Sequence, residues 1–139
     1  MAIPDHIVFD AEPLIAHADA EPGSDVVEEY LNAVADADAA GYASCVNLAE
    51  IRYIIARKYD RSTADEYLDW LTDIGIEPVD GSDAWMGAAE YVLNHNSALG
   101  DSFAFATAAH IEATLVVGGD TDYDEISDVP IARFRDGSA

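Results

Sequence analysis

Short apolar runs alternate along this chain with longer stretches in which apolar residues recur at helical spacing. The short runs predict strands at 6–9, 42–46, 76–79, 114–117 and 130–134. The stretches between them predict helices. Because strands and helices alternate throughout, we expect an α/β fold with a central parallel sheet of about four to five short strands and helices on both faces.

Polar residues and glycines mark the predicted helix ends. Ser24 and Gly41 should begin and end one helix, and Asn47 should begin the next. Ser62 is predicted to cap a further helix. Pro78 predicts that the strand 76–79 lies at an edge of the sheet, because proline cannot donate to a strand ladder. After the last predicted strand, we expect a loose tail from Arg135 onward.

Acidic residues follow several of the predicted strands. Asp10 ends the first strand, Glu50 lies early in the helix after the second, and Asp120 follows the strand 114–117. Asp101 opens a helix that is apolar nearly all round and should therefore be buried. Carboxylates at the rim of a buried layer cost free energy unless a cation or strong donors meet them. Since ligands gather at the carboxyl ends of parallel strands, these four acids are predicted to meet there.

Each acid also has an ordinary structural explanation. Asp10 and Asp101 could each be the N-cap of the helix that follows. The pair Asn47 and Glu50 has the spacing of a capping box, in which the glutamate reaches back to the helix start. The order of the residues alone leaves these alternatives open.

Composition limits the class of protein. The chain has 139 residues, of which 50% are hydrophobic, and this fits one globular domain spanning 1–139. A single cysteine, Cys45, sits in an apolar run and is expected to be a small buried residue. No run approaches the length of a membrane span and no signal peptide is apparent, so the expected location is the cytoplasm.

The charge balance is extreme, with 28 acids against 6 bases and a net charge of −22. At molar salt the Debye length falls to about 3 Å, which screens the self-repulsion of such a surface. The composition therefore indicates a halophilic protein from a salt-loaded cytoplasm. In such a protein the usual basic footprint of nucleic-acid binding is diminished, so the acidity does not exclude an RNA substrate.

Four motifs occur in a recognisable order: VFDAEPLIA, SCVNLAEIRYII, LGDSFAFATAA and TLVVGGDTDYDEI. This series resembles the PIN-domain nucleases, and most closely the VapC-type toxins of toxin–antitoxin pairs. The resemblance spans nearly the whole chain. It implies a PIN-like three-layer α/β fold and an Mg²⁺- or Mn²⁺-dependent endoribonuclease that acts on RNA.

The resemblance also implies which residues form the site. Asp10, Glu50, Asp101 and Asp120 take the positions of the four acids of the family, and Asp122 matches a helper acid two residues on. Oxygen-rich clusters suit Mg²⁺ or Mn²⁺, ions that also bind phosphate oxygens. We expect Asp10 and Asp101 to be the primary metal ligands, with Glu50 and Asp120 holding water or a second ion. Asp122 is the least secure of these assignments.

Partners follow from the resemblance as well. It implies a cognate antitoxin that covers the acidic groove, and a homodimer for which Tyr53, Trp70 and Trp85 are candidate interface residues. Three bases near the second motif could touch the RNA backbone or equally form a partner's docking face; these are Arg52, Arg57 and Lys58.

One departure from the family pattern and two alternatives remain. Gly118 stands where a threonine or serine is common, and the missing hydroxyl could weaken the orientation of the fourth acid. The chain could instead be a PIN-like module that binds RNA or a partner without cutting. A haloacid-dehalogenase-type phosphatase is a further alternative, although Glu12 stands where that family has its second aspartate.

Overall fold

The computed structural model describes residues 2–118 and 126–135. Within them the chain forms five strands and six helices. The strands are β1 (His6–Phe9), β2 (Ala40–Ser44), β3 (Ile76–Val79), β4 (Thr114–Val117) and β5 (Ile131–Arg133). The helices are α1 (Ala11–Ala18), α2 (Ser24–Ala35), α3 (Cys45–Lys58), α4 (Arg61–Ile74), α5 (Trp85–His95) and α6 (Leu99–Ile111).

The five strands form one sheet in the order β3-β2-β1-β4-β5, and every neighbouring pair is parallel. The prediction of an α/β fold with a central parallel sheet is therefore confirmed. β3 lies at an edge of the sheet, as Pro78 predicted. Because all strands run in one direction, their carboxyl ends lie along the same edge, and β1 occupies the centre.

The core is divided between the two faces of the sheet. Ile7 and Phe9 of β1 pack with α1, α2, α3 and α4 on one face, whereas Val8 packs with α5 and α6 on the other. Successive side chains of a strand point to opposite faces of the sheet, and helices cover both faces here. This explains why β1 is a continuous apolar run in the sequence. Helix, sheet and helix thus form three layers.

Helix α6 is the buried helix that its composition predicts. Ala104, Phe105 and Ala108 are essentially inaccessible. Small side chains on much of its surface let α6 pack closely against α5 and against strands β1 and β2. Its first turn lies beside α3, which brings two regions distant in sequence to the same end of the sheet.

The predicted end of α2 at Gly41 is wrong. The helix ends at Ala35, and Gly41 lies inside β2. A Cβ atom on Gly41 would lie 2.7 Å from Val34 Cγ2 and 2.8 Å from Ile76 Cδ1. The glycine is therefore explained by the close packing of α2 and β3 against β2, and not by a helix terminus.

Two predicted helix starts also shift. α3 begins at Cys45, because the Ser44 hydroxyl accepts a hydrogen bond from the Val46 amide at 3.1 Å. The cap of α4 is Asp60, whose carboxylate accepts from the Thr63 amide at 2.7 Å, and Ser62 lies inside the helix. Cys45 is exposed, so its predicted burial is wrong.

Among the described residues, no helix combines the length and apolar character that crossing a bilayer requires.

Candidate active site

Three of the four predicted acids line one pocket. Asp10 reaches it from the end of β1, Glu50 from the second turn of α3 and Asp101 from the first turn of α6. The pocket has a volume of about 310 Å³ and opens at the carboxyl end of the sheet. The fold thus brings together acids that are separated by up to 91 positions in the sequence.

Asp10 is the most buried of these acids, with 1% of its surface exposed. Its amide donates to Val116 O at 3.1 Å, which extends the β1–β4 pairing to this residue. Its Oδ1 accepts from the Ala11 amide at 2.7 Å at the start of α1. The positive end of a helix dipole stabilises a carboxylate there. The N-cap explanation and the pocket position therefore hold together.

Asn47 connects the parts of the site. Its Nδ2 lies 2.8 Å from Glu50 Oε1, 3.0 Å from Gly100 O and 3.5 Å from Asp10 Oδ1. One side-chain amide thereby links α3 to the start of α6 and to the end of β1. The capping-box interpretation is wrong, because Asn47 is the third residue of α3 and uses its side chain as a donor to Glu50.

The side-chain oxygen of Asn47 is in a different situation from its side-chain nitrogen. Its Oδ1 is buried and has no hydrogen-bond partner in the described part of the chain. A buried carbonyl-type oxygen without a donor costs free energy, on the order of 1–3 kcal/mol.

Glu50 sits in an environment that disfavours its charge. Burial raises the pKa of Glu50; the hydrogen bond from Asn47 opposes that shift and the negative charge of Asp101 adds to it. Gly100 makes room for this carboxylate, because a Cβ atom at position 100 would overlap it. The absence of a side chain at Gly100 is therefore a property of the site.

The opposite wall contains a feature that sequence reasoning missed. Arg135 lines the pocket, with Nη2 at 3.1 Å from Glu12 Oε1 and Nη1 at 3.2 Å from Glu21 Oε1. The expectation of a loose tail is wrong for Arg135. In the sequence, Arg135 is notable only as one of 6 basic residues, and this does not predict its contacts with Glu12 and Glu21.

Gly118 is explained by Glu12. The Glu12 carboxylate lies against Gly118, in the space that a side chain at 118 would fill. A carboxylate from α1 therefore stands where the family pattern has a hydroxyl from the strand end. The absence of a side chain at Gly118 and the position of the Glu12 carboxylate are therefore linked by packing.

The remaining two predicted ligands, Asp120 and Asp122, lie outside the described residues. Within residues 2–118 and 126–135, no three histidine, cysteine, aspartate or glutamate side chains come together as a ready metal cluster. The three carboxylates accordingly share a pocket without converging on one point.

The groups lining the pocket suit a hard cation. Among the described residues that line it, the side chains able to bind a metal are carboxylates, and none is a thiol or an imidazole. Oxygen ligands of this kind favour Mg²⁺, Mn²⁺ or Ca²⁺ over zinc or copper.

The family assignment agrees with this geometry. The model of the PIN domain family matches residues 7–129, and the chain belongs to that family of nucleases. Comparison with curated protein sequences gives no match.

Solved structures share the fold at low identity. VapBC2 from Rickettsia felis, solved with a promoter DNA fragment, superposes with a TM-score of 0.75 at 16% identity, covering 92% of this chain and 98% of that one. A toxin–antitoxin complex from Klebsiella pneumoniae gives 0.71 at 16%, covering 94% and 98%. VapBC-5 from Mycobacterium tuberculosis gives 0.58 at 22%, covering 94% and 99%. At these identities the similarity establishes the PIN-like three-layer fold.

Proposed function

We propose that this chain is a single-domain, Mg²⁺- or Mn²⁺-dependent endoribonuclease that hydrolyses RNA phosphodiester bonds. The observation that carries the proposal is the pocket that Asp10, Glu50 and Asp101 line together, with Asn47 hydrogen-bonded to Asp10 and Glu50. Membership of a nuclease family agrees with it.

The residues have separate tasks in this proposal. Asp10 and Asp101 would hold the cation, and Glu50 and Asp120 would complete its surroundings, with Asp122 in a supporting position. When bound, such a cation stabilises the developing charge on a phosphodiester and orients water for in-line attack. Glu50, whose pKa is raised by burial, is suited to accept a proton from the attacking water. Asn47 keeps the Glu50 carboxylate pointed into the pocket.

The biological role proposed is that of a toxin in a VapBC-type pair, acting in a salt-rich cytoplasm as a homodimer. The toxin–antitoxin complexes that share this fold support an antitoxin partner. Exposed apolar residues on α5, which include Trp85, Met86 and Leu93, support a contact between subunits. Co-purification with the product of an adjacent small gene, together with rescue of growth by that product, would test this role.

The nuclease proposal is tested by cleavage of single-stranded RNA in a series of KCl concentrations with Mg²⁺ or Mn²⁺. Asp10→Asn and Asp101→Asn should each lower the cleavage rate by at least about 100-fold, because each removes a charge that holds the cation. Asp73→Asn, on the exposed face of α4, is the matched control and should cut like the parent. Equal cleavage by all four proteins would indicate a contaminant and overturn the proposal.

The same assay separates the alternatives. A non-cutting binding module would hold RNA with no cleavage in any ion, and its affinity would be indifferent to Asp101→Asn. A phosphatase would need Glu12 free to exchange protons, whereas Glu12 is paired with Arg135 and packed on Gly118. Release of phosphate from a small ester, lost in Glu12→Gln, would support the phosphatase instead.

A further inference from the structure

Four of the 6 bases of this chain lie within ten residues: Arg52, Arg57, Lys58 and Arg61. They occupy the second half of α3 and the start of α4. In a protein with a net charge of −22, this segment is a pronounced local exception. These bases therefore pair either with an anionic ligand or with carboxylates of the same fold.

The four bases differ in how they are engaged. Arg52 Nε lies 2.8 Å from Asp65 Oδ1, and Lys58 Nζ is paired with Asp19. Among the ion pairs found between described residues, none involves Arg57 or Arg61. Two of the bases are thus committed to carboxylates of the fold, and two remain open to an external anion.

The uncommitted bases line an open groove of about 670 Å³ together with two tyrosines. The paired base Arg52 and the carboxylate of Asp60, which caps α4, also line it. Tyr53 is 45% exposed and Tyr59 is 56% exposed. The Arg57 guanidinium carbon lies 5.0 Å from the centre of the Tyr53 ring, in cation–π contact. This contact helps to hold the guanidinium in place and leaves its donors available for a ligand.

The groove lies close to the acidic pocket along α3. Tyr53 and Arg57 follow Glu50 by three and seven residues, so all three project from neighbouring positions on one side of the helix. Seven residues correspond to a rise of about 10 Å. Ile54, on the turn between them, lines the acidic pocket. A chain lying over Glu50 would therefore reach Arg57 after a short distance.

We propose that the groove of Tyr53, Arg57 and Arg61 binds single-stranded RNA next to the phosphodiester in the acidic pocket. The inference rests on the proposed function, since it assigns the substrate contacts of the same site. Guanidinium groups match phosphate oxygens in a two-point geometry. Exposed tyrosine rings stack on bases, and base faces are accessible only in a single strand.

The tyrosine rings distinguish RNA from an acidic peptide, which is the other anion that the two uncommitted arginines would attract. A peptide of glutamates offers charge without flat faces for Tyr53 and Tyr59. The position of Arg57 on the Glu50 side of the helix also favours a ligand that continues into the acidic pocket. We therefore assign the groove to RNA and use the peptide as a probe in the test.

Binding is measured without divalent ions, in EDTA, so that no cleavage occurs. The readout is the fluorescence anisotropy of a labelled single-stranded oligoribonucleotide across a KCl series that starts at the lowest concentration preserving the far-UV circular dichroism spectrum. Arg57→Gln should weaken binding by about 10-fold at the lowest salt and reduce the slope of log K against log [KCl] by about 0.7. Tyr53→Leu should weaken binding by about 10-fold and leave the slope unchanged.

The matched control is Lys58→Gln, since Lys58 is paired with Asp19 and is not among the residues that line the groove. It should change the affinity by less than about 3-fold. Unaltered binding by both Arg57→Gln and Tyr53→Leu would overturn the inference. So would a labelled polyglutamate peptide that binds the parent as tightly as the RNA does.

Failure of this inference and failure of the nuclease proposal are distinguishable. If no ion supports cleavage but the two variants lose RNA affinity as expected, the groove assignment stands and the enzyme assignment falls. If the parent cuts RNA and Arg57→Gln leaves KM unchanged, the enzyme assignment stands and the groove assignment falls.

Discussion

The two halves of α3 have opposite chemistry and are held in place by different means. In the first half, Asn47 is buried and linked by hydrogen bonds to Glu50, to Gly100 of α6 and to Asp10. In the second half, Arg57 is exposed, and among the described residues it has a cation–π contact with Tyr53 and no ion pair. A carboxylate that takes part in the reaction needs a fixed position. An arginine that binds a flexible RNA strand benefits from a long, mobile side chain that can follow it.

The difference has an energetic basis. Removing a partner from a buried hydrogen-bond network costs about 1–3 kcal/mol, while an exposed ion pair contributes about 0–1 kcal/mol. Changes in the first half of α3 should therefore alter turnover and stability together. Substitutions of the exposed residues Tyr53 and Arg57 in the second half should alter RNA affinity and leave the fold intact.

The largest effect is expected for Glu50→Gln. The cleavage rate should fall by at least about 100-fold because a carboxylate of the site is lost. The pKa of Glu50 is raised above its usual 4.5, so its ionised form opposes folding above that pH, and neutral glutamine should raise the free energy of unfolding at neutral pH. Single-turnover cleavage and urea denaturation measure the two effects. Parent-like cleavage would remove Glu50 from the site.

The second-largest effect is expected for Asn47→Leu. The substitution keeps the approximate volume but leaves Gly100 O and Glu50 Oε1 without their donor, which should lower the free energy of unfolding by about 1–3 kcal/mol. Turnover should fall as well, because Glu50 is released. Asn32→Leu, at an exposed position of α2, serves as control and should stay within about 0.5 kcal/mol of the parent. Equal denaturation midpoints for the two variants would contradict the bridging role.

Gly100→Ala should affect turnover more than stability. The new methyl group would displace the Glu50 carboxylate, which is the mobile end of a flexible side chain. A misplacement on this scale should lower kcat by about 10- to 100-fold. Gly87→Ala in α5 adds a methyl group at an ordinary contact distance of 3.4 Å from Ala106 Cβ, so it should cut like the parent. Equal kcat values in the two variants would show that the space at Gly100 is not required.

The smallest effect concerns the joint between α1 and α4 that lies behind the second half of α3. The Tyr67 hydroxyl donates to Leu14 O at 3.0 Å, so it accepts from His17 Nδ1, also at 3.0 Å. Glu28 lies 3.9 Å from His17 Nε2, and the Trp70 ring stacks on the imidazole. Burial lowers the pKa of His17 below 6.5, against the opposing pull of Glu28.

The sign of the pH dependence follows from that shift. Below pH 6.5 the unfolded chain binds the His17 proton more readily than the folded one, so the folded state loses stability as the pH falls. The urea midpoint of the parent, followed by tryptophan fluorescence and taken relative to that of His17→Gln, should therefore decrease from about pH 7.5 to about pH 5.5. Cleavage measured at a fixed pH near neutrality should be the same in both proteins. A His17→Gln protein with the full pH dependence would assign it to other groups.

Several features of the site were predictable from local patterns. The apolar runs at His6–Phe9 and Thr114–Val117 indicated strands because a short continuous apolar run is typical of a strand covered on both faces, and in each strand the last three residues are buried. Asp10 was expected at a carboxyl strand end, and that is where it lies. Asp101 was expected at the mouth of a buried helix, and its position in the first turn of α6 follows from the same pattern.

The misread features depend on contacts between distant segments. Asn47 and Glu50 have the spacing of a capping box, yet a better cap at Ser44 moves the start of α3 and frees Asn47 to donate across the site. Arg135 was predicted to belong to a loose tail. Its ion pairs with Glu12 and Glu21 could not be predicted, because they join residues more than a hundred positions apart. Local sequence has no signal for such pairs.

By itself, the order of apolar runs and acids determined a parallel α/β fold with carboxylates at one end of its sheet. Hydrophobic periodicity and helix capping involve residues only a few positions apart, so both can be predicted directly from the sequence. The tertiary structure alone decided that one amide joins Asp10, Glu50 and Gly100, that Glu12 fills the space beside Gly118, and that Arg57 remains unpaired by any described carboxylate. These outcomes depend on how helices pack on the sheet, because a hydrogen bond or a steric overlap is set by distances of a few ångströms between residues that the sequence keeps far apart.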